Sequence, residues 1–304
     1  MVTVFDTLKN AKKLLNANEI ENADFEAVCI FEKAYGVKYR SVQYERIKDT
    51  EPSDEQSEAL CEMLRKRIDG QPLQYVLGEW EFFGMPFKVG SGVLIPRQDT
   101  ETLVELVLDK MKNNNIIKAV DLCAGSGCIG VALQKNLRSC DMTCVEISKD
   151  AVKYLEQNIK LNDADVKTLN ADVLKSETAD AFSQLDLIVC NPPYLTKEDM
   201  QSLQTEVGFE PQTALFGGED GLDFYREITR LWKNTLKLGG MLAYEIGMGQ
   251  ETDVSQILIQ HGFENVRFVK DYCGIFRVVY GYKGENNCTK NDTTYYSECG
   301  IIVL

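Results

Sequence analysis

From Ile116 to Tyr282 short apolar runs alternate with amphipathic segments, and this alternation limits the possible folds more than any other property of the chain. The runs Ile116–Cys123, Met142–Ile147, Val166–Asn170, Leu185–Cys190 and Met241–Ile246 are rich in Val, Ile and Leu and end at turn residues. That is the pattern of strands buried on both faces. Strands separated by helical stretches pair in parallel, and the helices cover both faces of the resulting sheet. A last pair is predicted at Val266–Lys270 and Phe276–Tyr282, completing a seven-stranded sheet. The segment Thr102–Met111, with Leu103, Leu106, Val107 and Met111 on one face, is predicted to be the helix that opens this domain.

Residues 1–72 follow another period. Phe5, Leu8, Ala11, Leu14 and Leu15 recur at helical spacing, as do Leu60, Met63, Leu64 and Ile68. Gly36 interrupts the helices, and Thr50-Glu-Pro-Ser-Asp54 ends one and caps the next. These residues form a small helical domain, either a structural appendage or a module that docks a partner. Residues 73–98 form a linker, in which Trp80–Gly90 sets aromatic and β-forming residues around glycines and reads as a β-hairpin. The sheet domain then occupies residues 99–284. The polar tail at 285–304 has no place in that plan.

Composition removes several function classes. No apolar run approaches the roughly 18 residues that span a bilayer, and the start Met1–Asp6 lacks the basic and apolar regions of a secretion signal. A cytoplasmic protein without membrane association is expected. The 10 cysteines include no Cys-x-x-Cys pair and read as buried free thiols. His261 is the chain's single histidine and sits beside Gly262 in a helix-end turn, so neither a zinc site nor a histidine base is suggested and no metal is expected. A formal net charge of −14 argues against direct nucleic-acid binding and favours a protein or small-molecule substrate. A monomer is expected.

The first strand runs into Asp121-Leu-Cys-Ala-Gly125-Ser-Gly127, and Cys128 begins a helix. Glycines here let the backbone turn sharply and approach a ligand, which makes Cys123, Ala124, Gly125, Ser126 and Gly127 candidate cofactor contacts. The pattern alone is weak, because nicotinamide, flavin and S-adenosylmethionine folds share it and a purely structural turn would look the same. Glu146, at the end of the second strand, sharpens it. It follows Gly125 by 21 positions, the spacing at which a carboxylate accepts from the ribose hydroxyls of a cofactor. Asp172 and Val173 follow the third strand, where a polar and an apolar side chain can meet an adenine ring.

The fourth strand ends in Asn191-Pro192-Pro193-Tyr194. Ligands of open α/β sheets bind beyond the carboxyl ends of the strands. Two prolines fix φ at about −65° and remove two N–H donors, leaving carbonyl acceptors. The Asn191 amide oxygen adds another acceptor, so the pair suits a planar NH2 group with its two donors, against which Tyr194 offers a flat face. Hydride transfer would instead call for a proton donor or acceptor at a substrate carbonyl. Methyl transfer from a sulfonium needs an aligned nucleophilic nitrogen, and the loop and the tetrapeptide together fit that chemistry.

These residues resemble the class I S-adenosyl-L-methionine-dependent methyltransferases and, within them, the release factor glutamine methyltransferases of the HemK type. The likeness includes Pro72–Glu79, Leu94–Arg97 with Glu101, Asp121–Gly127, Asn191–Tyr194, Glu206–Val207, Glu210–Pro211, Gly217–Leu222, Lys270–Asp271 and Gly274–Val279. The Leu-Ile-Pro-Arg97 element is the more specific part; Asn-Pro-Pro-Tyr is shared with DNA adenine methyltransferases. The resemblance implies a Rossmann-like, seven-stranded class I methyltransferase domain of the α/β class. It also implies a small all-α N-terminal domain that helps dock the substrate, joined by a β-hairpin linker.

A chemistry is likewise implied by the resemblance. The cofactor is S-adenosyl-L-methionine, the product S-adenosyl-L-homocysteine, and the partners are class 1 peptide chain release factors, methylated at N5 of the glutamine in their Gly-Gly-Gln motif. By the same resemblance, Gly125, Gly127, Glu146, Val173 and Asn191 contact the cofactor, and Asn191, Pro192, Pro193 and Tyr194 hold the glutamine amide. Arg97 and Glu101 pair to shape the substrate-binding wall, or serve as a structural salt bridge. Gln98 and Asp99 stand where the family usually has Pro and Glu, and Asp is commoner than Glu at position 146. The alternatives are an N6-adenine or other nucleic-acid amine methyltransferase, and a binding module that keeps the fold without turnover.

Overall fold

The computed structural model describes residues 2–114 and 116–285, so the tail from residue 286, with Cys288 and Cys299, lies outside the described residues. The chain forms two compact units. One holds the chain up to Trp80 together with Val89–Ser91 and Gln204–Phe209; the other holds Glu81–Lys88, Gly92–Leu203 and the chain from Glu210 onward.

The helical unit contains α1 (Val4–Ala17), α2 (Ala23–Tyr35), α3 (Val42–Ile47), α4 (Asp54–Ile68) and α5 (Leu73–Leu77). Thr3 caps α1 in a reciprocal box with Asp6, and Ser53 does the same for α4 with Gln56. Each such cap supplies orphan N–H groups with acceptors and contributes about 1 kcal/mol. The face of α1 that turns inward is Val4, Leu8, Ala11 and Leu15, packed with Ile30, Phe31, Leu60 and Leu64. Phe5 and Leu14, expected on that face, are instead exposed at 46% and 44%. Helical stripes one residue apart differ by about 100°, and the stripe that includes Val4 buries four positions where that of Phe5 does not. Helical structure also continues past Pro72 into α5, the first part of the expected linker. Inside the unit Arg67 Nε donates to Glu26 Oε2 at 2.5 Å and Arg67 Nη2 to Glu206 Oε1 at 3.0 Å.

A two-stranded hairpin follows, β1 (Glu79–Phe82) and β2 (Met85–Lys88). Phe83 and Gly84 both take positive φ in its turn, which matches the right-handed twist of the strands they join.

The sheet unit runs α6 (Glu101–Met111), β3 (Ile117–Leu122), α7 (Cys128–Asn136), β4 (Cys140–Glu146), α8 (Lys149–Leu161), β5 (Val166–Asn170), α9 (Ser176–Asp180), β6 (Leu185–Cys190), α10 (Asp223–Trp232), β7 (Leu236–Glu245), α11 (Glu251–Gln260), β8 (Phe263–Lys270) and β9 (Phe276–Lys283). Its seven strands lie in the order β5-β4-β3-β6-β7-β9-β8. The first five are parallel, and β9 inserts antiparallel between β7 and β8. One sheet face packs Leu103, Val107, Val131 and Leu155, the other Tyr225, Ile228, Trp232, Val254 and Leu258. The predicted strands are present, but β7 begins at Leu236 rather than Met241. Gly239 and Gly240 break its apolar run in the sequence, while Leu236 already pairs with Leu185.

Because β3 lies between β4 and β6, the chain leaves β3 toward one side of the sheet and later returns to the other. That reversal opens a crevice beyond the carboxyl ends of β3 and β6, where the glycine loop and the tetrapeptide emerge.

Candidate active site

The loop after β3 is fixed from below. Asp121 is fully buried, and its Oδ2 accepts from Gly130 N at 2.9 Å, tying the strand end to the first turn of α7. Ala124 N donates to Val145 O at 3.1 Å and Gly127 N to Ala124 O at 2.8 Å, which closes the turn. The two glycines differ in surroundings. A Cβ on Gly127 would sit 2.2 Å from Leu155 Cδ1, whereas one on Gly125 would meet nothing within 4 Å. Gly127 is therefore a packing requirement, and Gly125 is the glycine that faces open space.

Glu146 is buried at the end of β4 with both carboxylate oxygens engaged: Oε2 accepts from Gly125 N at 2.8 Å and Oε1 from Ser148 N at 2.7 Å. An ionised carboxylate has about four acceptor positions, so two remain for hydroxyl donors. Past β5, Asp172 Oδ1 accepts from Leu174 N at 2.9 Å, and the carbonyl of the next residue, Val173, accepts from Trp232 Nε1 at 2.9 Å. Trp232 is fully buried, so the opposite core holds Val173 in place.

The tetrapeptide is shaped by close backbone contact. A Cβ on Gly217 would lie 2.6 Å from Pro193 O and 2.7 Å from Tyr194 Cα, and one on Gly221 would lie 2.3 Å from Tyr194 O. Only glycine lets the Gly217–Leu222 segment lie against Pro193 and Tyr194. Gln250 Nε2 also donates to Tyr194 O at 3.1 Å. Asn191 Nδ2 is 3.4 Å from its acceptor, Thr100 Oγ1, in the turn before α6.

One cavity of about 650 Å³ gathers most of these groups. Cys123, Ala124, Gly125, Ser126, Glu146, Asp172, Val173, Asn191, Pro193 and Arg97 line it; Gly127, Pro192, Tyr194 and Glu101 lie outside its lining. The half-buried Tyr194 ring has Cδ2 3.0 Å from where a Gly247 side chain would begin. Burial holds the Tyr194 hydroxyl above its usual range, so it stays protonated near neutral pH. Burial likewise pushes the Cys128 thiol up to about 12, which leaves it unreactive as a nucleophile.

The expected pairing of Arg97 with Glu101 is corrected. Arg97 instead pairs with Glu210, a buried carboxylate whose Oε2 also accepts from Ile95 N at 2.9 Å. Glu101 Oε1 accepts from Phe83 N at 2.7 Å, so its carboxylate anchors the hairpin turn. Asp99, one of the departures from the family pattern, forms an ion pair with Arg277 at 3.1 Å. His261 caps the end of α11 with its Nδ1 2.8 Å from Ile257 O. No group of three or more His, Cys, Asp or Glu side chains among the described residues could hold a metal ion. No helix among them is long and apolar enough to cross a membrane.

Glu245 and Thr100 were not singled out from the sequence. Glu245 ends β7 with 2% exposure, and Thr100 is 1% exposed. The sequence marks Glu245 only as an acid that ends an apolar run; its place beside Asn191 comes from the pairing of β6 with β7.

Comparison with known proteins gives the same outline. Residues 97–209 match the model of the methyltransferase small domain, and residues 6–78 match that of the PrmC N-terminal domain. A release factor glutamine methyltransferase of Fusobacterium nucleatum is 38% identical over 284 residues, covering 91% of this chain and 78% of its relative. That of Geobacter sulfurreducens is 36% identical over 283 residues, covering 93% and 97%. Among solved structures, the hMettl16 catalytic domain overlays with a TM-score of 0.54 at 16% identity, covering 75% of this chain and 84% of its own. A methyltransferase from Pyrococcus furiosus gives 0.50 at 17%, covering 67% and 91%. Sheet order and loop placement are those of a class I methyltransferase domain. With relatives this similar along most of its length, the chain belongs to the release factor glutamine methyltransferase family.

Proposed function

We propose that this protein methylates the side-chain amide nitrogen of the glutamine in the Gly-Gly-Gln motif of class 1 peptide chain release factors, using S-adenosyl-L-methionine and releasing S-adenosyl-L-homocysteine. The observation that carries the reading is that Gly125, Glu146 and Asn191 line one cavity. A ligand held by the glycine loop there reaches the tetrapeptide. Family membership and the names of the relatives support the substrate. The net charge of −14 favours a protein over a nucleic acid. A cytoplasmic monomer suits that role.

The cavity fits the cofactor: Gly125 leaves open space, Glu146 retains acceptor capacity and Val173 presents an apolar wall. When bound, S-adenosyl-L-methionine supplies an electrophilic methyl group on a sulfonium. In this reading the Cys123–Ser126 loop and Glu146 hold its methionine and ribose ends, and Asp172 and Val173 flank its adenine.

Amide nitrogen is a weak nucleophile because its lone pair is delocalised into the carbonyl. Asn191 Oδ1 and a proline carbonyl accept the two amide N–H bonds, shifting electron density toward nitrogen and fixing the line of attack. The amide proton leaves after the methyl arrives, when the nitrogen is strongly acidic, so no dedicated base is needed. Tyr194 and Pro192 fix the tetrapeptide's shape, while Arg97, held by Glu210, forms part of the wall. Incubation with a purified release factor, and separately with DNA and RNA, tests the proposal. Methyl incorporation into the protein is expected, and incorporation into nucleic acid alone would overturn it.

A further inference from the structure

Strands β6 and β7 pair in parallel with Cys190 opposite Tyr244, so the next residues, Asn191 just past β6 and Glu245 at the end of β7, lie side by side, with Glu245 still paired to Val278 of β9. Glu245 is 2% exposed, does not line the cavity, and its Oε2 has no hydrogen-bond partner among the described residues. The Thr100 and Asn191 side chains both favour its charged form, against the desolvation that burial imposes. An unpartnered buried carboxylate oxygen is costly and calls for a reason.

The chemistry of an asparagine amide supplies one. Its two ends are nearly the same shape, and neighbours decide which is NH2 and which is oxygen. An ionised carboxylate only accepts, so it selects the Nδ2 end of Asn191 and repels the Oδ1 end. Thr100 Oγ1, 3.4 Å from Asn191 Nδ2, accepts from that same end when its own proton is directed away from Asn191. Oδ1 is then left to face the cavity.

We propose that Glu245 is a positioning residue for methyl transfer: its buried carboxylate, with Thr100, locks Asn191 with Nδ2 inward and Oδ1 toward the substrate amide. This rests on the proposed role of Asn191 as acceptor. Protonated, Glu245 would itself become a donor and lose its preference for the Nδ2 end. Burial lifts its pKa to about 7, opposed by the Thr100 side chain, the Arg277 charge and the Asn191 side chain, with Asp99 adding to the rise. Tyr194, Tyr225, Cys190 and Cys128 are the other titratable groups that face it, and burial keeps all four in their neutral forms near pH 7.

The test uses Glu245→Gln, which keeps the volume and removes the charge, and Thr100→Val, which keeps the shape and removes the acceptor. Wild-type kcat should fall as pH drops through about 7, because protonation releases the lock. Glu245→Gln should lower kcat roughly 10- to 100-fold at pH 8, an effect of the size expected for lost alignment. Its KM for release factor, its calorimetric Kd for S-adenosyl-L-methionine and its Tm should stay near wild type, and its kcat should no longer vary between pH 6 and 8. Thr100→Val should lower kcat in the same direction by a smaller factor. Undiminished kcat in Glu245→Gln, an unchanged pH profile, or losses of Tm and cofactor binding that match the loss of kcat would overturn the proposal. Absence of methyl transfer by the wild-type protein would instead count against the proposed reaction, which keeps the two failures distinct.

Discussion

Glu146 accepts from the amide of Gly125 at 2.8 Å, so one carboxylate both sets the position of the glycine loop and faces the cavity that the loop bounds. Hydrogen bonds to a charged group are worth about 1.5–3 kcal/mol each. Glu146→Ala should therefore weaken binding of S-adenosyl-L-methionine roughly 10- to 100-fold by calorimetry, with Glu146→Asp intermediate. Affinity unchanged in the alanine variant would remove Glu146 from the binding site.

The two loop glycines should separate by substitution. At Gly127, φ +80 and the 2.2 Å approach to Leu155 Cδ1 act together. Left-handed strain of about 1–2 kcal/mol adds to an overpacking cost of about 1–3 kcal/mol, so Gly127→Ala should lower Tm markedly. Gly125→Ala meets only the strain, and its methyl enters open space. Its loss should appear mainly in cofactor affinity, read by calorimetry beside thermal unfolding.

Asn191→Ala should retain binding of S-adenosyl-L-methionine while kcat falls by about 10²-fold or more, the usual effect of deleting one group that stabilises developing charge. Single-turnover methyl transfer at saturating cofactor measures this. Turnover near wild type would exclude the proposed role of its amide oxygen.

Burial raises Asp121 from 3.8 to about 7, against the opposing Gly130 N–H and the Cys144 thiol and with a contribution from the charge of Glu146. Between those values the folded chain holds a proton that the unfolded chain releases. Its stabilising contribution is thus complete below 3.8 and lost as pH rises through about 7. Asp121→Asn keeps an acceptor for Gly130 and removes that dependence. The stability of wild type relative to this variant should fall steadily as pH rises from 4 to 7, measured by denaturant unfolding; a constant difference would contradict the assignment.

In the helical unit, Arg67 lies 2.5 Å from Glu26, with both side chains largely buried. Glu26→Ala leaves the Arg67 charge without its inner partner and should cost about 3–5 kcal/mol in chemical denaturation. Glu206 is 41% exposed, so Glu206→Ala should cost only about 0–1 kcal/mol. Equal losses would show that the inner pair is not the structural one.

Strands β3 and β6 were legible because parallel strands buried on both faces are nearly continuously apolar, and each of these runs ends at a turn, whereas β5, at the sheet edge, has no fully buried residue. The inward face of α1 was legible in Leu8, Ala11 and Leu15 but not in full, because Phe5 and Leu14 share its helical period yet lie outside the packed stripe. Most of the residues predicted to bind cofactor do line one cavity, since local motifs carried them. The partner of Arg97 could not be read locally. Glu101 is four residues away in sequence, but Glu210 reaches Arg97 through the fold, and nothing in the sequence ranks a distant carboxylate above a near one. Glu245 was missed for the same reason: its meaning comes from the register of β6 against β7, which places it beside Asn191.

The most direct measurement is to incubate the protein with labelled S-adenosyl-L-methionine and a purified class 1 release factor, wild type or with the motif glutamine replaced, and to locate the label by mass spectrometry. One methyl group on the side-chain nitrogen of the Gly-Gly-Gln glutamine, and none on the replaced factor, is the expected result. Label at another residue, or equal label on the replaced factor, would contradict it.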